Sequence, residues 1–106
     1  MNYCEFDYDN IPIKAYAMLE VSNKWGYDQW DSFNKIVIKE SNWIHTAQNP
    51  ISSAYGLCQT MMSLHETTEN FITDPKTQIN WCIDYIRKTY DTPSKAVTFH
   101  KENNWF

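Results

Sequence analysis

The sequence predicts an all-α fold, a compact single domain of about five helices with little or no sheet. Three observations carry that expectation. The chain has 106 residues, the length of one small domain whose core must come from a few well-packed elements. Apolar residues recur at helical spacing in several stretches bounded by capping and stop residues, and no stretch shows the period-two alternation of a half-buried strand. No repeat, low-complexity stretch or linker divides the chain.

Taken in order, residues 1–14 form an N-terminal arm and the start of a helix, and residues 15–106 the folded domain. The first helix is expected over Ile11–Lys24, with Pro12 tolerated in its first turn and Ile13, Tyr16 and Leu19 facing inward. Gly26, after Trp25, is its stop. The second runs from about Asp28 to Ser41. At 100° per residue, Trp30, Phe33, Ile36 and Val37 fall within an arc of about 120°, while Lys35 and Lys39 lie opposite. Residues Ser41–Ser53 have loop composition, with Asn49 held extended by Pro50. Gly56 then precedes Leu57, Met61, Met62 and Leu64, read as a short helix carrying Gln59. His65–Thr73 reads as a solvated polar connection. The clearest helix has Asp74 as N-cap and Pro75 in its first position, with Ile79, Cys82, Ile83, Ile86 and Tyr90 on one face. Thr92-Pro93 repeats the signal for a last helix through Val97 to His100, and the apolar Trp105-Phe106 is expected to dock on the domain.

Composition removes several function classes. A formal net charge of -4 leaves no basic patch to neutralise phosphates, so nucleic acid is not an expected partner. No apolar run reaches the roughly 18 residues of a membrane span. The start, MNYCEFDYDN, is acidic and lacks the basic and apolar regions of a secretory leader, so none is expected. Cys4, Cys58 and Cys82 are an odd number without metal-ligand spacing; reduced buried thiols are the simple expectation, a Cys58–Cys82 bridge the alternative. His45, His65 and His100 suggest no zinc site, and the isolated Gly26 and Gly56 no phosphate loop. No metal or cofactor is expected. The surplus is aromatic: five Trp and seven Tyr, 16% aromatic in all, side chains that fill a core or offer platforms to the apolar faces of sugars.

The chemistry concentrates at Glu40. Its position falls inside the apolar arc of the second helix, and a carboxylate there is costly unless paired, protonated or used. Glycoside cleavage with two carboxylates would need a partner across the bond. Glu66, Glu69 and Asp74 are available, but none lies where the pattern predicts burial. A single acid fits better, its pKa raised by the apolar surroundings. A nucleophilic pair of Cys58 or Cys82 with His100 is disfavoured, because both thiols sit among apolar neighbours.

The stretch Glu40-Ser41, Trp43, Ala47, Asn49-Pro50, Ser52, Ala54-Tyr55-Gly56-Leu57 and Gln59 resembles the soluble lytic transglycosylase family, with its E-S and G-L-M-Q signatures, and is most similar to small domains of that type from phage and actinobacterial proteins. Upstream, Trp25, Gly26, Gln29 and Trp30 match more loosely. Downstream, Thr77-Gln78-Ile79, Trp81, Tyr85-Ile86, Tyr90 and Pro93, then Ala96, His100, Asn103 and Trp105-Phe106, complete the likeness over residues 15–106. Cys58 departs from the usual methionine or proline, Ser53 from a common glycine and His45 from a common proline, and the A-Y-N motif of larger relatives is missing.

The resemblance implies a lysozyme-like fold and cleavage of the β-1,4 bond between N-acetylmuramic acid and N-acetylglucosamine. Glu40 would first protonate the leaving oxygen, then take the proton of the muramyl 6-hydroxyl, giving a 1,6-anhydro end without consuming water. Ser41, Tyr55 and Gln59 would line the site, and His100 and Trp105 would belong to the glycan cleft. The expected partner is the peptidoglycan glycan strand, met by a monomer that enters no membrane. A phage-encoded enzyme, carried in the virion or released at lysis as an endolysin, would need no leader. The alternatives are a lysozyme-type hydrolase of the same bond, and a silent glycan-binding or virion interaction module.

Overall fold

The computed structural model describes residues 11–103. Four α-helices make up most of it: α1 (Ile13–Trp25), α2 (Trp30–Ser41), α3 (Pro75–Tyr90) and α4 (Pro93–Asn103), with a short 3-10 turn at Tyr27–Gln29 leading into α2. A two-stranded antiparallel hairpin, β1 (Ala54–Tyr55) and β2 (Thr60–Met61), is the only sheet among the described residues. The fold is mainly helical, as the sequence predicts. The N-terminal ten residues with Cys4, and the docking expected of Trp105-Phe106, lie outside the described residues.

Most helix ends follow the local signals. Gly26 stops α1 at φ 106° with its N–H on the Ser22 carbonyl, a backbone shape that glycine adopts without a steric penalty. The Asp74 carboxylate accepts from the Lys76 N–H at 3.0 Å and the Thr77 hydroxyl at 3.0 Å, capping α3 behind Pro75. The Lys95 N–H of α4 donates to the Thr92 hydroxyl, and its Ser94 N–H to the Gln29 side chain at 2.9 Å. α2 ends on two consecutive left-handed residues, Asn42 (φ 53°) and Trp43 (φ 64°). The uncommon shape at Trp43 is held by its indole N–H on Asn34 at 2.9 Å and by ring contact with Trp30.

The core is one cluster shared by all four helices and one turn. Tyr16, Ala17 and Val21 of α1 meet Phe33, Ile36 and Val37 of α2, Ile79, Cys82, Ile83 and Ile86 of α3, Ala96 of α4, and Leu57. In α1 the buried stripe is Tyr16, Ala17 and Val21, while Ile13 and Leu19 are half-buried.

Three expectations are corrected. The stretch after Gly56 is no helix. Gly56 (φ 88°) and Gln59 (φ 52°) both take left-handed backbone, the chain reverses, and Ala54 and Tyr55 pair with Met61 and Thr60. Leu57 is buried but Leu64 is exposed, so the apparent helical face does not exist. Second, Cys58 and Cys82 are joined in a disulfide instead of standing as reduced thiols. The reversal at Gly56 brings the hairpin turn against α3, with a Cα–Cα distance of 6.2 Å, within disulfide reach. Third, the connection His65–Thr73 is not simply solvated, since Phe71 is buried at 1% exposure.

Gln78 organises the loops. It is buried at 1% exposure on the first half of α3. Its Oε1 accepts from the Leu57 N–H at 2.8 Å, and its Nε2 donates to the carbonyls of His45 and Phe71, each at 3.0 Å. One amide thus satisfies three separate loop segments whose backbone groups would otherwise be buried without partners. Its carboxamide lies so close to Gly56 that a Cβ there would overlap it.

Candidate active site

α2 delivers Glu40 in its last turn, one residue before the chain leaves the helix. The side chain opens into a cleft of about 610 Å³. One wall is loop and hairpin, with Asn49, Ser52, Ala54, Cys58, Gln59, Thr60 and Met61. The opposite wall is α3, with Trp81, Tyr85 and Tyr90, joined by His65 and His100. Ile36, Cys82 and Ile86 form the floor.

Among the described residues Glu40 is the only carboxylate lining this cleft. Glu66 borders a separate hollow. Asp74 is committed to the α3 cap. Partial burial pushes the Glu40 pKa up, and the neighbouring Lys39 ammonium pulls against it. The position at a helix C-terminus acts in the same upward direction, since the negative end of the helix dipole disfavours a carboxylate. The group therefore holds its proton to higher pH than an ordinary glutamate. Across the cleft, Tyr90 is pushed up to about 12 by burial, by the adjacent Tyr85 phenol and by the charge of Glu40. Its hydroxyl therefore stays protonated well above neutral pH.

The motif residues divide. Gln59 faces the cleft. Its Nε2 donates to the Ala47 and Gly56 carbonyls at 3.0 and 2.9 Å, which leaves the side-chain oxygen to offer a ligand. His100 also lines the cleft. Ser41 does not. Its hydroxyl is buried and donates to the Leu57 carbonyl at 2.7 Å, tying the end of α2 to the hairpin turn. Tyr55 is likewise turned inward, 8% exposed, its hydroxyl 3.5 Å from the Ile72 carbonyl. Both residues shape the wall from behind, because a buried polar group must spend its hydrogen bonds on neighbouring backbone. Trp105 lies outside the described residues. The sequence does not mark the aromatic face of α3 as part of the site. Tyr90 is assigned by its spacing to the buried stripe, yet it sits half-buried on the cleft side. The available signal was that Trp81 and Tyr85 lie off the apolar stripe, together on another face of the helix.

Among the described residues no group of three or more His, Cys, Asp or Glu is placed to hold a metal ion, and no helix is long and apolar enough to cross a membrane. No curated protein and no solved structure matches the chain. The profile of the transglycosylase SLT domain does match, over residues 18–103, a span that holds Glu40, the hairpin and all of the described cleft wall. The chain belongs to the transglycosylase SLT domain family, and its activity is of that family's general type, the lytic cleavage of peptidoglycan.

Proposed function

We propose that this protein cleaves the β-1,4 bond between N-acetylmuramic acid and N-acetylglucosamine with Glu40 as its single acid and base. The observation that carries the reading is a lone carboxylate of raised pKa in a cleft that, among the described residues, holds no second one. In the first half, protonated Glu40 gives its proton to the glycosidic oxygen as the C1–O bond breaks. In the second, the Glu40 carboxylate accepts the proton of the muramyl 6-hydroxyl as that oxygen bonds to C1. The acid is restored, no water is consumed, and the product ends in 1,6-anhydromuramic acid. Each half requires the opposite protonation state, so a pKa moved toward neutrality serves both.

The test joins product analysis to one variant. Mass spectrometry of a peptidoglycan digest is expected to show fragments lighter by one water than the hydrolytic products. Reducing ends alone would make the enzyme a hydrolase. Glu40→Gln is expected to retain the fold and lose at least about a hundredfold in clearing rate, the low end of general acid–base contributions. Clearing by the variant at the wild-type rate would refute the role of Glu40.

A further inference from the structure

The α3 wall of the cleft carries an aromatic arrangement that the two proton transfers do not use. Trp81 and Tyr85, one helical turn apart, lie nearly parallel, with ring centroids 5.1 Å apart and planes inclined by 10°. His65 stands steeply inclined to both rings, with centroids 5.1 and 5.6 Å away. Phe71, itself buried, meets Trp81 edge-on at 6.3 Å. Contacts of this kind fix ring planes. A tryptophan required only for the core would be covered, but Trp81 is half-buried and lines the cleft together with Tyr85 and His65.

The position along α3 defines what this surface can touch. Tyr90, the last residue of α3, lines the same cleft as Glu40, whose charge acts on its phenol. Trp81 lies nine residues earlier on the same helix, roughly 13 Å away at the helical rise per residue. Trp81 also walls the neighbouring hollow, so it stands where the cleft gives way to the next depression. A group held there is not at the bond being broken.

We propose that Trp81, with Tyr85 stacked beside it and His65 bracing both, is a saccharide subsite that binds a pyranose of the glycan strand several units from the scissile bond. The proposal rests on the glycan-cleaving reading above and deepens it. The chemistry is that of electropositive C–H groups on one face of the sugar against the electron-rich face of the ring. Such contact excludes water from both apolar faces and leaves the sugar hydroxyls and N-acetyl groups at the rim. Because the contact is remote from the reacting centre, its binding energy holds the strand in register with Glu40.

The experiment is a calorimetric titration of chitohexaose, the β-1,4 hexamer of N-acetylglucosamine, into the Glu40→Gln protein and into the same protein carrying Trp81→Leu. Leucine keeps apolar contact with Phe71 and removes the platform. About tenfold weaker binding is expected, the equivalent of one aromatic contact, with Trp81→Phe recovering most of it. In parallel, the Trp81 indole N–H resonance of the Glu40→Gln protein, which needs no change at position 81, is expected to move as chitohexaose is added. Equal affinity in the leucine variant, or an indole signal unmoved at saturation, overturns the subsite and leaves the cleavage reading standing. Failure of the Glu40→Gln protein to bind either chitohexaose or whole sacculi overturns both.

Discussion

Removing the hydrogen-bonding groups of Gln78 tests the claim that one buried amide holds the cleft wall together. Gln78→Leu keeps a similar volume and deletes both polar atoms. The change strands the Leu57 N–H and removes a donor from each of the His45 and Phe71 carbonyls. A buried group left without its partner costs about 1–3 kcal/mol. With all three near the low end, because carbonyls tolerate partial satisfaction better than N–H groups, the sum is about 3 kcal/mol. A domain of this size has only about 5–15 kcal/mol in total, and each kcal/mol moves Tm by about 4–8 °C. The variant is therefore expected to melt on the order of 15 °C below wild type by far-UV circular dichroism. Gln78→Glu gives the sign. Ionised, it still accepts from Leu57 but points negative oxygen at two carbonyls, whereas protonated it can donate again. Its deficit should shrink as pH falls. A Gln78→Leu melt within about 3 °C of wild type would refute the argument.

Two further outcomes are expected. Lys39→Gln removes the cation that opposes the upward pKa shift of Glu40, so the alkaline limb of the clearing-rate profile should move to higher pH. A limb that stays in place or moves down would show that Lys39 does not act on the carboxylate. Reductant should lower Tm, since the Cys58–Cys82 bond closes a loop of sequence separation 24, worth about 3 kcal/mol in chain-entropy terms. The double variant Cys58→Ser/Cys82→Ser should melt lower from the start and ignore reductant, and a wild-type melt unmoved by reductant would contradict the bond's contribution.

What was legible depended on the range of the determining interaction. Asp74-Pro75 and Thr92-Pro93 announce helices because a cap is a contact between residues two or three apart. Glu40 stood out because helical geometry alone puts it beside Ile36. The hairpin was not legible. Its strands are two residues each, too short to show alternation, and its left-handed turn is secured by Gln78, far away in sequence. The same reversal brings Cys58 to Cys82, so a reader who extends a helix through Leu57–Leu64 has no reason to join the two thiols. The motif around Ser41 and Tyr55 covers a stretch that borders the cleft, but a motif does not tell which side chains turn outward. Both turn in.

The disulfide and Gln78 fasten the hairpin wall to α3, while the acid arrives on α2. The gap between Glu40 and the α3 wall is bridged by packed side chains. The spacer is the floor, where Ile36 and Ile86 carry the core up to the cleft surface, with Phe33, Val37 and Ile83 beneath. Close-packed interiors transmit a change of even one methylene to their surroundings. The aperture presented to a sugar is thus a volume measurement made inside the protein. Val37, in the core but not in the cleft lining, is a position where an added methylene would reach that aperture without changing a lining residue.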